Sequence, residues 1–149
     1  MDAPSQADFI SNYLAPAMIA ANIKTKVYVY DHNWDRTDYP ETVLQKMTAV
    51  GKEVLGGVAF HCYLGNVTAQ SDFHSKYPDQ DLLITECSGF YSNSSWTDDF
   101  MWDMINIFIG GANNWASGTI KWNLVLDQNM GPKNGGCQNC RGLVTIHTD

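Results

Sequence analysis

Glu86 closes an apolar run, Leu82-Leu83-Ile84-Thr85-Glu86, and is followed by the small residues Cys87-Ser88-Gly89. A carboxylate so placed can serve as a nucleophile or a proton carrier, although a strand-end Glu is more often exposed or paired with a lysine. Three further stretches carry side chains of a matching kind: Asp31-His32-Asn33-Trp34, His61-Cys62-Tyr63 and Trp122-Asn123. Together they supply a carboxylate, His and Asn side chains to bind hydroxyls, and Trp and Tyr rings whose flat faces suit a sugar. Taken singly each has an ordinary explanation, a hydrogen-bonded core histidine for His61 and core packing for Trp122. Their joint occurrence makes Glu86 the candidate catalytic residue, with Asp31, Asn33, Trp34, His61, Tyr63, Trp122 and Asn123 as candidate substrate contacts.

The elements that must position them alternate. Pro4 and Ser5 announce a helix over residues 6–21, with Phe9, Ile10, Tyr13, Leu14, Ala17 and Met18 at helical spacing and Pro16 as a kink or break. Residues 26–30 (Lys-Val-Tyr-Val-Tyr) read as a strand ending at Asp31. A helix is expected over 40–51, a strand over 57–63 and a short helix over 69–76 before the Glu86 strand. The longest helix, 97–115, presents Phe100, Met101, Met104, Ile105, Phe108 and Ile109, and a last strand covers 118–124. The Glu86 run lacks polar alternation, as in strands covered on both faces. Strand–helix alternation implies an α/β protein with a parallel sheet and right-handed crossovers. No strand–helix turn carries a Gly-rich phosphate loop, which excludes a nucleotide-binding sheet. Polar groups at the end of every strand, all on one rim, fit part of a (β/α)8 barrel.

Composition narrows the class. The 149 residues are 44% hydrophobic and 17% charged, an ordinary globular balance, with room for one core but not for the ~250 residues of a whole (β/α)8 barrel. A net charge of −7 argues against nucleic acid as a partner. No run approaches the ~18 apolar residues of a membrane span. Five Trp and seven Tyr leave aromatic rings to spare for a binding rim.

The four cysteines allow two bridges. Cys137-Gln138-Asn139-Cys140 lies in a Gly-rich loop, not at a helix start as a redox motif would, and only His147 is near enough in sequence to join a zinc site. A loop-closing Cys137–Cys140 disulfide is therefore expected, with no metal and no cofactor. Cys62 and Cys87 follow His61 and Glu86 on strands expected to be neighbours. A bridge between them is geometrically allowed, and two buried free thiols are the preferred expectation. Asn66-Val67-Thr68 and Asn93-Ser94-Ser95 are glycosylation sequons, and with the cysteines they point to a secreted protein.

The motifs Lys26-Val27-Tyr28-Val29-Tyr30-Asp31-His32-Asn33, Ala59-Phe60-His61-Cys62-Tyr63, Thr85-Glu86-Cys87-Ser88-Gly89 and Lys121-Trp122-Asn123-Leu124, in this order, resemble the second half of a glycoside hydrolase family 30 catalytic barrel. The segment from Gly131-Pro132 through Gly135-Gly136-Cys137-x-x-Cys140-x-Gly142 resembles the loop after the last barrel strand. The resemblance runs end to end and implies that residues 1–149 are barrel strands five to eight, the C-terminal half of the catalytic domain. It implies a retaining β-glycosidase acting on a β-glucoside, with Glu86 as nucleophile. Among the family's activities, endo-β-1,6-glucanase or glucosylceramidase is implied, the His-Cys-Tyr form and the Cys-x-x-Cys loop favouring the glucanase. The family's acid/base Glu sits in an Asn-Glu pair after strand four. No Asn-Glu pair occurs in this chain, so that residue would precede Met1, and the chain by itself is expected to be inactive without the missing N-terminal half-barrel. Two other classes stay open at this point: a non-catalytic sugar-binding remnant of the same fold, and an unrelated parallel α/β binding domain.

Overall fold

A computed structural model describes residues 1–90 and 95–148. Four strands, β1 (Val27–Asn33), β2 (Leu55–His61), β3 (Asp81–Glu86) and β5 (Ala116–Thr119), form a parallel sheet in the order β1-β2-β3-β5. Chain neighbours are thus sheet neighbours, and each crossover carries helices: α3 (Asp38–Lys46) and α4 (Ala49–Val54), then α5 (Ala69–Lys76), then α6 (Trp96–Asp103) and α7 (Ile109–Asn113). Two short pairs lie at the end of the chain. Strand β4 (Gly89–Phe90) meets β7 (Cys140–Arg141) antiparallel, and β6 (Val125–Asp127) meets β8 (Val144–Ile146) in parallel.

The first helix begins earlier than its Pro-Ser signal suggests, because Asp2 caps α1 (Ala3–Phe9) by accepting a 2.8 Å bond from the Ser5 amide. It does not break at Pro16. That residue cannot donate to Asn12, and the turn before it, Ile10–Leu14, widens to a π turn in which the Ala15 amide reaches back to the Ile10 carbonyl, before α2 (Ala15–Ala20) continues. The buried face differs from the expected one. Ala3, Ala7, Ile10, Ala15 and Met18 are buried, whereas Phe9 and Tyr13 are exposed and stack on each other.

The single helix expected over 40–51 is two. Met47 is extended, and Thr48 caps α4, its hydroxyl accepting from the Gly51 amide while its own amide donates to Ser11 Oγ. The long helix also differs from expectation: of residues 100–109 only Ile107 is fully buried, and Phe100, Met101, Ile105, Phe108 and Ile109 are exposed. Nothing among the described residues covers that face.

The core is built on β2, whose last five residues, Gly57–His61, are all buried, with Val29, Phe60, Phe73, Leu82, Ile84 and Ile107 closing around it. On β3, Leu82 and Ile84 are buried while Leu83 is only half-buried, so the strand is less completely covered than its apolar run implies. Strand β5 ends at Thr119 rather than near 124. Beyond it the chain still follows β3 through bonds from Ile120 N to Ile84 O and from Trp122 N to Cys87 O, too irregular for a ladder.

Candidate active site

Strands β1, β2 and β3 end together because of their register: Asn33 lies opposite His61, and His61 opposite Glu86. Strands β1 and β3, on either side of β2, each reach this alignment through an extra residue. Between the Tyr30–Ala59 and His32–Phe60 pairs, Asp31 has no partner, and between Phe60–Ile84 and His61–Glu86, Thr85 has none. Tyr30 and Asp31 both have positive φ, 78° and 62°, a costly backbone for non-glycine residues and typical of bulges that re-aim side chains. The two unpaired residues meet across β2, where Thr85 Oγ1 donates a 2.7 Å bond to Asp31 Oδ1.

His61 lies between two carboxylates. Its Nε2 is 3.0 Å from Asp31 Oδ1 and its Nδ1 is 4.0 Å from Glu86 Oε1. With Nε2 protonated, the imidazole donates to Asp31 and turns its other nitrogen towards Glu86. The Tyr63 hydroxyl donates to Glu86 Oε1 at 2.9 Å and itself accepts from the Ser88 amide at 3.1 Å. Burial, followed by the adjacent Glu86, pushes the Tyr63 hydroxyl well above the usual phenol range, so it remains a donor at any physiological pH. Asn33, buried, uses its Oδ1 to hold the Tyr63 amide at 3.1 Å. Glu86 has no Lys or Arg ion pair among the described residues, and its side chain is 32% exposed.

Burial alone would raise the Asp31 carboxyl, but the hydrogen bonds from Thr85 and His61 and the nearby His61 and His32 outweigh it, leaving Asp31 below the usual carboxylate range. A depressed folded-state value gives stability that is present above the unfolded value of about 3.9 and lost as pH falls through the folded value. Asp31→Asn is therefore expected to lower the melting temperature most near neutral pH, and the difference from the parent should shrink as the pH falls from the unfolded value of about 3.9 through the lower folded value. A gap between the two melting curves that stays constant down to the acid limit would show that Asp31 contributes nothing through its charge.

The remaining candidates are placed differently. Trp34 is 3% exposed, belongs to the core and spends its indole N–H on Gln70 Oε1 at 2.8 Å, so it supports the rim from below and shows no ring face. Trp122 is 46% exposed and lies beside Asn123 at a cavity of about 340 Å³ shared with Met130, Lys133 and the Cys137–Cys140 loop. This cavity has no wall in common with the Asp31–His61–Glu86–Tyr63 group. Asn123 Oδ1 is buried without a hydrogen-bond partner among the described residues.

A cleft of about 620 Å³ opens beside Tyr63, walled by Phe90 and Trp102 with Ser88, Asp99 and Asp103. Phe90 and Trp102 belong to none of the strand-end motifs, whereas Thr85 and Ser88 stand in the Glu86 motif without a role of their own. Thr85 and Ser88 lie beside Glu86, which makes them its natural supports, whereas Trp102 lies on the 97–115 helix outside the apolar set picked out by helical spacing.

Both disulfides are present. Cys137–Cys140 closes its loop as expected, with Cα atoms 5.5 Å apart. Cys62 and Cys87 are bridged as well, Cα to Cα 5.3 Å, which corrects the expectation of two free thiols. The parallel pairing that sets His61 opposite Glu86 brings the next residue of each chain within bridging reach.

The family model described as "Glycosyl hydrolase family 30 TIM-barrel domain" matches residues 1–137. An endo-1,6-beta-D-glucanase of Trichoderma harzianum is 39% identical over 148 residues, covering 95% of this chain and 28% of the relative. A putative glucosylceramidase of Caenorhabditis elegans is 28% identical over 143 residues, covering 88% of this chain and 27% of the relative. Among solved structures, an endo-beta-1,6-glucanase superposes with a TM-score of 0.89 at 38% identity, over 99% of this chain and 34% of the other. The chain thus spans under a third of the length of the curated relatives it matches.

Proposed function

The chain belongs to glycosyl hydrolase family 30, and from that premise we propose that it is the nucleophile-bearing part of a retaining β-glycosidase, acting on a β-1,6-glucan. In this reading residues 1–149 are strands five to eight of a (β/α)8 barrel, and the acid/base carboxyl is supplied by chain outside them. The observation that carries the proposal is Glu86 at the end of β3, held by the Tyr63 hydroxyl and faced by His61. A retaining glycosidase needs two carboxyl groups ~5–5.5 Å apart, one to attack the anomeric carbon and one to protonate the leaving oxygen. Asp31 is unsuited to the second role, because its carboxyl is held below the usual range and stays ionised.

In the attack, a Glu86 oxygen forms a bond to the anomeric carbon as the glycosidic C–O bond breaks, and water later releases the sugar. Tyr63 fixes the rotamer of the attacking carboxylate, Asn33 fixes Tyr63, and the Asp31–Thr85 contact holds His61 against Glu86. Trp122 and Asn123, kept beside the end of β3 by the bond from Trp122 N to Cys87 O, are proposed to contact the glucan from their own cavity, separate from the cleft at Tyr63. Among the described residues no strand pairs with the outer edges of β1 and β5, and Phe9, Tyr13, Phe100, Ile105, Phe108 and Ile109 are exposed, which supports packing against further barrel strands and helices. Secretion is supported by two disulfides, which persist in oxidising compartments. Among the described residues no helix is long and apolar enough to cross a membrane.

A 2-deoxy-2-fluoroglucoside with a good leaving group, applied to the protein at the full length of its relatives, is expected to label Glu86 covalently. Label recovered on another carboxylate overturns the assignment. Saturable glucan binding with no label on any carboxylate would instead make the chain a sugar-binding remnant.

A further inference from the structure

The loop between β2 and α5 carries a group that this mechanism does not use. Asn66 and Thr68 are exposed, while Val67 between them is buried at 7% exposure and anchors the loop in the core. Gly65, at φ 86°, makes the turn before them against Trp34 and Asp35, so closely that a Cβ there would come within 2.6 Å of the Asp35 amide. The backbone is thereby held with the Asn66 side chain outside the packed layers. Asn66 Oδ1 accepts a 3.0 Å bond from the Thr68 amide, and its Nδ2 has no hydrogen-bond partner among the described residues.

We infer that Asn66 is an N-glycosylation site when the chain passes through a eukaryotic secretory compartment, and that its glycan rises from the rim bearing His61 and Glu86. The Asn-x-Thr triplet supplies the recognition element. In the transfer, Asn66 Nδ2 bonds to the anomeric carbon of a lipid pyrophosphate-linked oligosaccharide and loses one proton to solvent. The carbon–oxygen bond to pyrophosphate breaks, and the lipid pyrophosphate leaves with the electron pair. Transfer acts on the nascent chain, so the fold must only leave room for the product, and here it does. The new bond forms at Nδ2, leaving Oδ1 a carbonyl that still accepts from Thr68, so the folded loop loses no contact. The loop follows directly on Tyr63, the donor to Glu86, so the glycan would flank the sugar-binding rim without entering the core.

The test is secretion of the 149-residue chain from a yeast host behind that host's own leader, followed by peptide mapping after enzymatic deglycosylation in ¹⁸O water. Trypsin places Asn66 in the 53–76 peptide and Asn93 in the 77–121 peptide, so the two sequons are read separately. Before reduction the same two peptides are joined through Cys62–Cys87, which reports that the chain was oxidised and correctly paired. The expected result is ¹⁸O-labelled Asp at position 66 in most molecules, lost in both Asn66→Gln and Thr68→Ala and kept in Asn93→Gln. Unmodified Asn66 in chains that carry the Cys62–Cys87 link overturns the inference, as does label that survives Thr68→Ala. Because both sequon residues are exposed, enzymatic removal of the glycan is also expected to leave the melting temperature unchanged. A large fall would mean that the glycan packs into the fold and that the rim placement is wrong.

Discussion

Glu86→Gln, made in the protein at the full length of its relatives, is expected to lower kcat by on the order of 10⁴- to 10⁶-fold, the range found when a covalent nucleophile or its essential partner is removed, with KM little changed. The substitution keeps the shape of the side chain and an oxygen to accept from Tyr63, so ground-state binding of glucan has no reason to weaken. It removes the oxygen nucleophile that bonds to the anomeric carbon, an interaction made only on the way to the transition state. Tyr63 provides the control. Its hydroxyl donates to the attacking carboxylate at 2.9 Å and accepts from Ser88, so Tyr63→Phe should cost far less than Glu86→Gln while still reducing kcat. Retention of kcat within about tenfold in Glu86→Gln would remove it from the nucleophile role.

The second large effect is on stability. Cys62 and Cys87 are 25 residues apart in sequence, and closing a loop of that size removes chain entropy from the unfolded state worth about 3.5 kcal/mol at 25 °C. The Cys62→Ala/Cys87→Ala pair is expected to lose about that much in urea unfolding, with a slope at least as steep as the parent's, because the unfolded chain freed of the cross-link exposes more surface. Cys137 and Cys140 are separated by 3, and the corresponding double substitution should cost only about 1.6 kcal/mol on the same relation. An inverted order would show that the Cys62–Cys87 bridge is not a stabilising tether. The bridge lies one residue beyond both His61 and Glu86, so its loss should also disturb the rim before it unfolds the sheet.

Most of the framework was legible in the chain itself. Short apolar and β-branched runs placed β1, β2 and β3 close to their observed ranges, and α5 was recovered residue for residue, because these signals are local and periodic. The strand-end motifs also carried the family, since a site assembled from successive strand ends leaves its residues in separate short stretches that keep their order.

Other features depended on which parts of the chain meet. Asp31 and Thr85 became supports for His61 only because each is an extra residue in its own ladder, and register belongs to a pair of strands, not to one. Trp34 looked like part of a sugar platform by position, yet Gln70, thirty-six residues on, takes its N–H and draws it into the core. Helical spacing identified apolar side chains along residues 96–113 but could not say which face would find a neighbour; α6 itself buries none, and of residues 100–109 only Ile107, in the π turn after it, is fully buried. The Cys62–Cys87 bridge was open for the same reason. Composition gives the thiols, and only the parallel pairing of β2 with β3 brings them 5.3 Å apart. Local periodicity thus determined the elements and the order of the motifs, while non-local pairing decided which side chains face each other and therefore which groups hold Glu86.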